Sequence, residues 1–183
     1  MIDQNMTMST DLSGRKVAVL AESYYQELEL WYPLLRLREA GAQVSVVGSG
    51  TAQVYKSQHG YEVTVDTSAD KVSSDLFDAV VVPGGWAPDY LRRHESVLKF
   101  VKDIFDQNKI VAAVCHGGSV LVSAKVLKGR TATCVKAIKD DVINAGANYV
   151  DKEVVRDGNL ITSRIPSDLP AFCKEIINAL QTK

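Results

Sequence analysis

Short, unbroken apolar runs recur along this chain: RKVAVLAE, AQVSVVG, FDAVVVPGG and KIVAAVC. A strand that is apolar at consecutive positions, rather than at alternate ones, must be covered on both faces. Between these runs lie segments of helical period. ELELWYPLLRLREAG sets apolar residues at Leu28, Tyr32 and Leu35 and stops at Gly41, and a further helix is expected from about Glu95 to Asp106. Pro33 would break a helix interior but is tolerated near a first turn, which places the start of the first helix close to Glu29. Strands alternating with helices over short connections call for a mainly parallel sheet with helices on both faces.

The remaining segments fit that plan. VYKSQHGYEVTVD alternates around a His-Gly turn and reads as an antiparallel excursion at a sheet edge, whereas APDYLRR is a short connecting segment. After KIVAAVC come GGSVLVSAKVL as a helix, RTATC as a strand and IKDDVINAG as a helix. YVDKEVVRDGNLITSR supplies two strands around an Asp-Gly turn. SDLPAFCKEIINAL closes the chain as a helix with Ser167 or Asp168 at its N-cap. The architecture expected is a three-layer α/β/α sandwich of flavodoxin-like type, a single domain over 14–183 behind a mobile leader, 1–13.

Composition narrows the function. A net charge of -1 gives no counterion-release drive toward nucleic acid. No apolar run approaches the roughly 20 residues that span a bilayer, and the leader lacks the blocks of a signal peptide, so a cytoplasmic protein is expected. The three cysteines form no CxxC pair and the three histidines no HxxxH or HxH pair. Neither a disulfide framework nor a metal site is suggested, and no cofactor is expected.

In sheets of this kind ligands bind beyond the carboxyl ends of the strands, where strand order reverses. Glu29, Gly84-Gly85 and Cys115-His116 all fall at that edge. In VAAVCHGGSVLVSA, an apolar strand, a Cys, His-Gly-Gly and a helix follow one another like a nucleophile elbow, with the helix N-terminus favouring thiolate. Cys115 is equally readable as a small apolar filler. His116 is adjacent, and neighbouring side chains on a strand point apart, so direct pairing with Cys115 does not follow. Glu29 either complements the helix dipole or, buried beside Cys115, becomes a protonated acid. The backbone N–H groups at Gly84 and Gly85, with that of His116, form either an oxyanion hole or a plain turn. Asp89 reads as a solvated charge or a helix cap, and Cys134 and Cys173 as core fillers.

Several stretches occur in the order and spacing of a known family: ELELWYPLLRLREAG, the HGY turn, FDAVVVPGGWAPDYLR, VAAVCHGGSVLVSA, IKDDVINAGANYVD and VVRDGNLITSRIPSDLPAF. Together they resemble the PfpI intracellular protease family of the ThiJ/PfpI superfamily, whose fold is like that of class I glutamine amidotransferases. The resemblance implies a nucleophile at Cys115, its histidine at His116, a buried acid against the sulfur at Glu29, and an acidic partner at Asp89 that reaches a neighbouring subunit's histidine. It therefore implies a homo-oligomer, a dimer or hexamer, with an intersubunit site. It further implies a stress-response enzyme acting on reactive carbonyls by glyoxalase III or deglycase chemistry on a small aldehyde, with an intracellular cysteine peptidase acting on peptides, or a redox sensor or chaperone using Cys115 oxidation, as alternatives. The chain departs from the family pattern at Gly118, often Pro, which would loosen the elbow; at Asp89, in place of the longer Glu; and at Trp86, often Arg or another polar residue.

Overall fold

The computed structural model describes residues 11–182, so most of the expected leader, 1–10, lies outside the described residues. Leu12 is already part of the core, buried and donating its N–H to the Ala40 carbonyl.

The first half of the chain forms β1 (Lys16–Ala21), α1 (Glu27–Glu39), β2 (Gln43–Gly48), β3 (Val54–Lys56), β4 (Glu62–Thr64), β5 (Thr67–Ser68), β6 (Ala79–Val82), α2 (Ala87–Leu91) and α3 (Glu95–Asp106). The second half adds β7 (Ile110–Val114), α4 (Gly118–Ser123), β8 (Thr131–Ala132), α5 (Lys139–Asn144), β9 (Asn148–Tyr149), β10 (Val154–Asp157), β11 (Leu160–Ser163) and α6 (Leu169–Gln181). Seven strands make the main sheet in the order β10-β11-β7-β6-β1-β2-β5. All pairs are parallel except β10 with β11, which turn back on each other at Gly158. The central five give the flavodoxin-like order. Helices α1 and α6 pack on one face, α3 and α4 on the other. That burial from both sides is why β6 and β7 are apolar at every position.

Three details differ from the sequence reading. The β3-β4 hairpin around His59-Gly60 stands apart as its own two-stranded sheet, and the short β5 takes the edge next to β2. RTATC does not join the main sheet: β8 pairs with β9 in a parallel ribbon, because the loops after α4 and α5 run alongside each other off the sheet edge. Asp168 does sit at the N-cap of α6, but Arg164 takes its carboxylate.

The fourth difference bears on the site. Helix α1 starts at Glu27 with Gln26 as N-cap, and Pro33 lies inside it, leaving the Glu29 carbonyl without the N–H it would otherwise receive. Leu28, Tyr32 and Leu35, the expected inner stripe, are exposed by 55%, 37% and 57%. The buried stripe is Leu30, Leu34 and Leu37, joined by Glu29 and Pro33. Both stripes have helical spacing, and the sheet selects the one that carries the carboxylate. Leu37→Ala is expected to lower urea-unfolding stability by about 2–5 kcal/mol, while Leu28→Ala changes it by less than about 0.5 kcal/mol.

Candidate active site

Strand order reverses between β1 and β6, since the chain leaves β1 toward β2 on one side and returns to β6 on the other. The carboxyl ends of β1, β6 and β7 meet there. Cys115 follows β7 with φ +59°, a left-handed backbone rarely adopted by residues with a side chain, and enters a single 3₁₀ turn before α4. This turn lifts the thiol out of the strand direction. It also brings the Cys115 sulfur within 3.4 Å of His116 Nδ1, so the two neighbours do pair. The alternation of side chains that argued against pairing holds for extended backbone and lapses at this turn. A Cβ on Gly117 would stand 2.5 Å from the Val82 carbonyl oxygen, so close packing under the elbow depends on that glycine. Gly118 has the ordinary right-handed φ of -54° and opens α4, so the backbone there does not itself require a glycine.

Glu29 reaches the same point from α1. The Gln26 side chain caps the helix, accepting from Glu29 N at 3.0 Å, which is one half of a capping box. The reciprocal half is missing, because the Glu29 carboxylate turns away from the helix end and accepts from Gly84 N–H at 2.9 Å. Its second oxygen, Oε1, is buried with no hydrogen-bond partner. Burial therefore outweighs the Gly84 and Cys115 hydrogen bonds and raises the Glu29 pKa to about 7. Cys115 rises to about 12, chiefly through burial and then through the Glu29 charge, against the pull of the His116 and Gly85 backbone N–H groups. Burial and the Glu29 charge thus work against the thiolate that the helix N-terminus favours. The thiol keeps its proton beside a carboxyl group that titrates near neutrality.

Burial lowers the His116 pKa, while the charge of Asp89 raises it. Asp89 and His116 of the same chain line one pocket of about 500 Å³ with Cys115, Glu29 and Gly85. Gln26, Arg92, Ser119 and Asp141 also line this pocket and were not singled out from the sequence. Gln26 had a signal, lying three residues before Glu29 at a helix start; the other three carry no pattern that distinguishes them from surface residues. Cys134 and Cys173 are buried free thiols, as read. Among the described residues no three His, Cys, Asp or Glu side chains gather as metal ligands, and no helix is long and apolar enough to cross a membrane.

A doubly wound sheet with a cysteine in a left-handed strand-to-helix turn at its switch point defines a class of cysteine-elbow α/β proteins. The model of the DJ-1/PfpI family matches residues 15–179, and the chain belongs to that family. It is 44% identical to a deglycase of Pyrococcus abyssi over 91% of this chain and 99% of that protein. It is 42% identical to protein/nucleic acid deglycase 2 of Escherichia coli, over 91% of this chain and 98% of that one. Among solved structures it is similar to DJ-1beta of Drosophila melanogaster, with a TM-score of 0.86 at 32% identity over 92% of this chain and 91% of that one.

The raised Glu29 pKa sets a stability signature. Between about pH 4.5 and 7 the folded state keeps a proton that the unfolded state has released, so Glu29 makes stability fall as pH rises through that window. The loss approaches about 3 kcal/mol at complete ionisation. Glu29→Gln keeps an acceptor for Gly84 N–H and removes the titration. Urea-unfolding curves at pH 4.5 and 7.5 are expected to show the variant gaining on the wild type by about that amount as pH rises; parallel pH profiles would contradict the assignment.

Proposed function

We propose that this protein is a cysteine-dependent enzyme that detoxifies reactive carbonyls, acting on small 2-oxoaldehydes and their early adducts. The observation that carries this reading is the Cys115–Glu29 pair beside the Gly85 and His116 backbone N–H groups. Glu29, with a pKa near 7, is matched to take and return protons at neutral pH. As the carbonyl carbon approaches, the thiol proton passes to the Glu29 carboxylate, the sulfur lone pair forms the C–S bond, and the carbonyl π pair moves to oxygen. The Gly85 and His116 N–H groups, which already face the sulfur, hold that oxyanion. From the hemithioacetal a proton shifts from C1 to C2 by way of Glu29 or His116, giving a thioester. One water then releases the 2-hydroxy acid and returns the thiol, so methylglyoxal plus water gives lactate.

The size of the pocket supports a small substrate over a peptide, since about 500 Å³ suits a compact molecule. The deglycase names of the Pyrococcus abyssi and Escherichia coli relatives point the same way. The three cysteines as free thiols suit the reducing cytoplasm. Assembly with further copies is supported by the outer face of α1, where Leu28, Tyr32 and Leu35 present an apolar stripe that the core does not use. Asp89 lines the pocket and is exposed, which suits a contact with a neighbouring copy on this reading.

Lactate production from methylglyoxal without glutathione is expected to fall to background for Cys115→Ser, and by about 10²–10⁴-fold for Glu29→Gln. Equal rates for wild type and Cys115→Ser would refute the reading. Leu35→Glu is expected to shift the protein toward monomer in sedimentation equilibrium, because it places a charge in the apolar stripe; an unchanged mass would remove α1 from the interface.

A further inference from the structure

Beside the Cys115 pocket lies a second depression, lined by Tyr24, Gln58, His59, Trp86 and Tyr90. Trp86 and Gln58 line both, so the two are continuous. Three aromatic rings therefore stand at the entrance to the cysteine. Trp86 is exposed by 66% and Tyr24 by 52%, and the Tyr24 and Tyr90 rings lie 6.0 Å apart and 30° from parallel.

The backbone under these rings is strained and tightly held. Tyr24 has φ +62°, which costs a bulky residue about 1–3 kcal/mol. Burial of its ring does not offset that cost, because the ring projects into solvent. Glycine or asparagine would satisfy the turn without strain. The segment is fixed on both sides: Tyr24 N–H donates to Lys56 O at 2.6 Å, Trp86 N–H donates to Tyr24 O at 2.9 Å, and Tyr25 bridges to Gly85. The peptide that aims Trp86 is thus tied to the peptide that aims Tyr24, and both are tied to Gly85 at the sulfur.

Resting on the carbonyl chemistry proposed above, we infer that Tyr24, Trp86 and Tyr90 form a stacking shelf for a planar group carried by the substrate, and that the enzyme prefers aryl-substituted 2-oxoaldehydes. An uncharged ring fits best. The Arg93 guanidinium already lies 4.8 Å over Tyr90, and Arg92 lines the adjoining pocket, so a second cation would meet like charge. Phenylglyoxal, the probe for this class, takes up one water to give mandelate, as methylglyoxal gives lactate.

The full-length protein is assayed with both aldehydes as wild type, Trp86→Ala, Trp86→Phe and Tyr24→Gly, the last of which relieves the backbone strain. The wild type is expected to show a KM for phenylglyoxal about ten-fold below that for methylglyoxal. Trp86→Ala and Tyr24→Gly raise the phenylglyoxal KM about three- to ten-fold, with the change falling on KM rather than kcat, and Trp86→Phe keeps most of the preference. In a Trp31→Phe background Trp86 is the sole tryptophan, and its fluorescence is expected to quench saturably with mandelate and not with lactate at the same concentration. Equal KM values with no mandelate response would overturn the shelf and leave the Cys115 chemistry standing. A saturable mandelate response without turnover of either aldehyde would overturn the carbonyl chemistry and keep the shelf as a binding site.

Discussion

The site depends on the empty side-chain position at Gly84. A Cβ there would stand 2.7 Å from Cys115 Cβ and 3.0 Å from His116 N, and would collide with the Glu29 carboxylate. Three pieces of chain far apart in sequence use that space: the end of β6, the start of α1 and the elbow after β7. The parallel registers of β6 with β1 and β7 bring their ends level, and the missing side chain lets a carboxylate and a thiol close on each other above them. The 2.9 Å bond from Gly84 N–H then fixes one carboxylate oxygen and leaves the other aimed at the site. Even the unfinished capping box follows from this, because a carboxylate committed to Gly84 cannot also close its own helix end.

Once these groups are enclosed, desolvation governs their protons. A helix N-terminus is worth about 0.3–1 kcal/mol to a nearby anion, and α4 is short and preceded by a 3₁₀ turn. Moving the thiol from 9 to about 12 corresponds to about 4 kcal/mol against the thiolate. The dipole loses by a wide margin. Part of the thiol's cost is the Glu29 charge, which disappears when Glu29 takes the proton, so transfer along the pair removes the repulsion that opposes the thiolate. On the chemistry proposed, a buried acid with a pKa near 7 is suited to take the proton of a strongly protonated cysteine at neutral pH.

The strands and their layering could be read directly, because a sheet covered on both faces leaves unbroken apolar runs that hardly anything else produces. The strand ends that meet at the site followed from the same plan. The inner face of α1 did not follow. Leu28, Tyr32 and Leu35 repeat with the same spacing as Leu30, Leu34 and Leu37, two residues apart and so about 200° around the helix. Periodicity gives both stripes equal weight, and the true inner face carries Glu29 and Pro33, which any hydrophobic pattern counts against it. The Cys115–His116 contact was hidden for a different reason. The elbow pattern announced a tight turn at Cys115, but not the left-handed backbone that folds its side chain toward that of His116.

The two stripes also give α1 a double role. Its inner side supplies the carboxylate that meets Gly84, and its outer side leaves Leu28, Tyr32 and Leu35 exposed. Pro33 breaks the hydrogen-bond ladder between the turn that carries Glu29 and the rest of the helix. The carboxylate is held by its 2.9 Å bond from Gly84 N–H, and Gln26 caps the turn that carries it. The outer face of α1 is thus left to solvent, while the placement of Glu29 against Gly84 is set by the strand end.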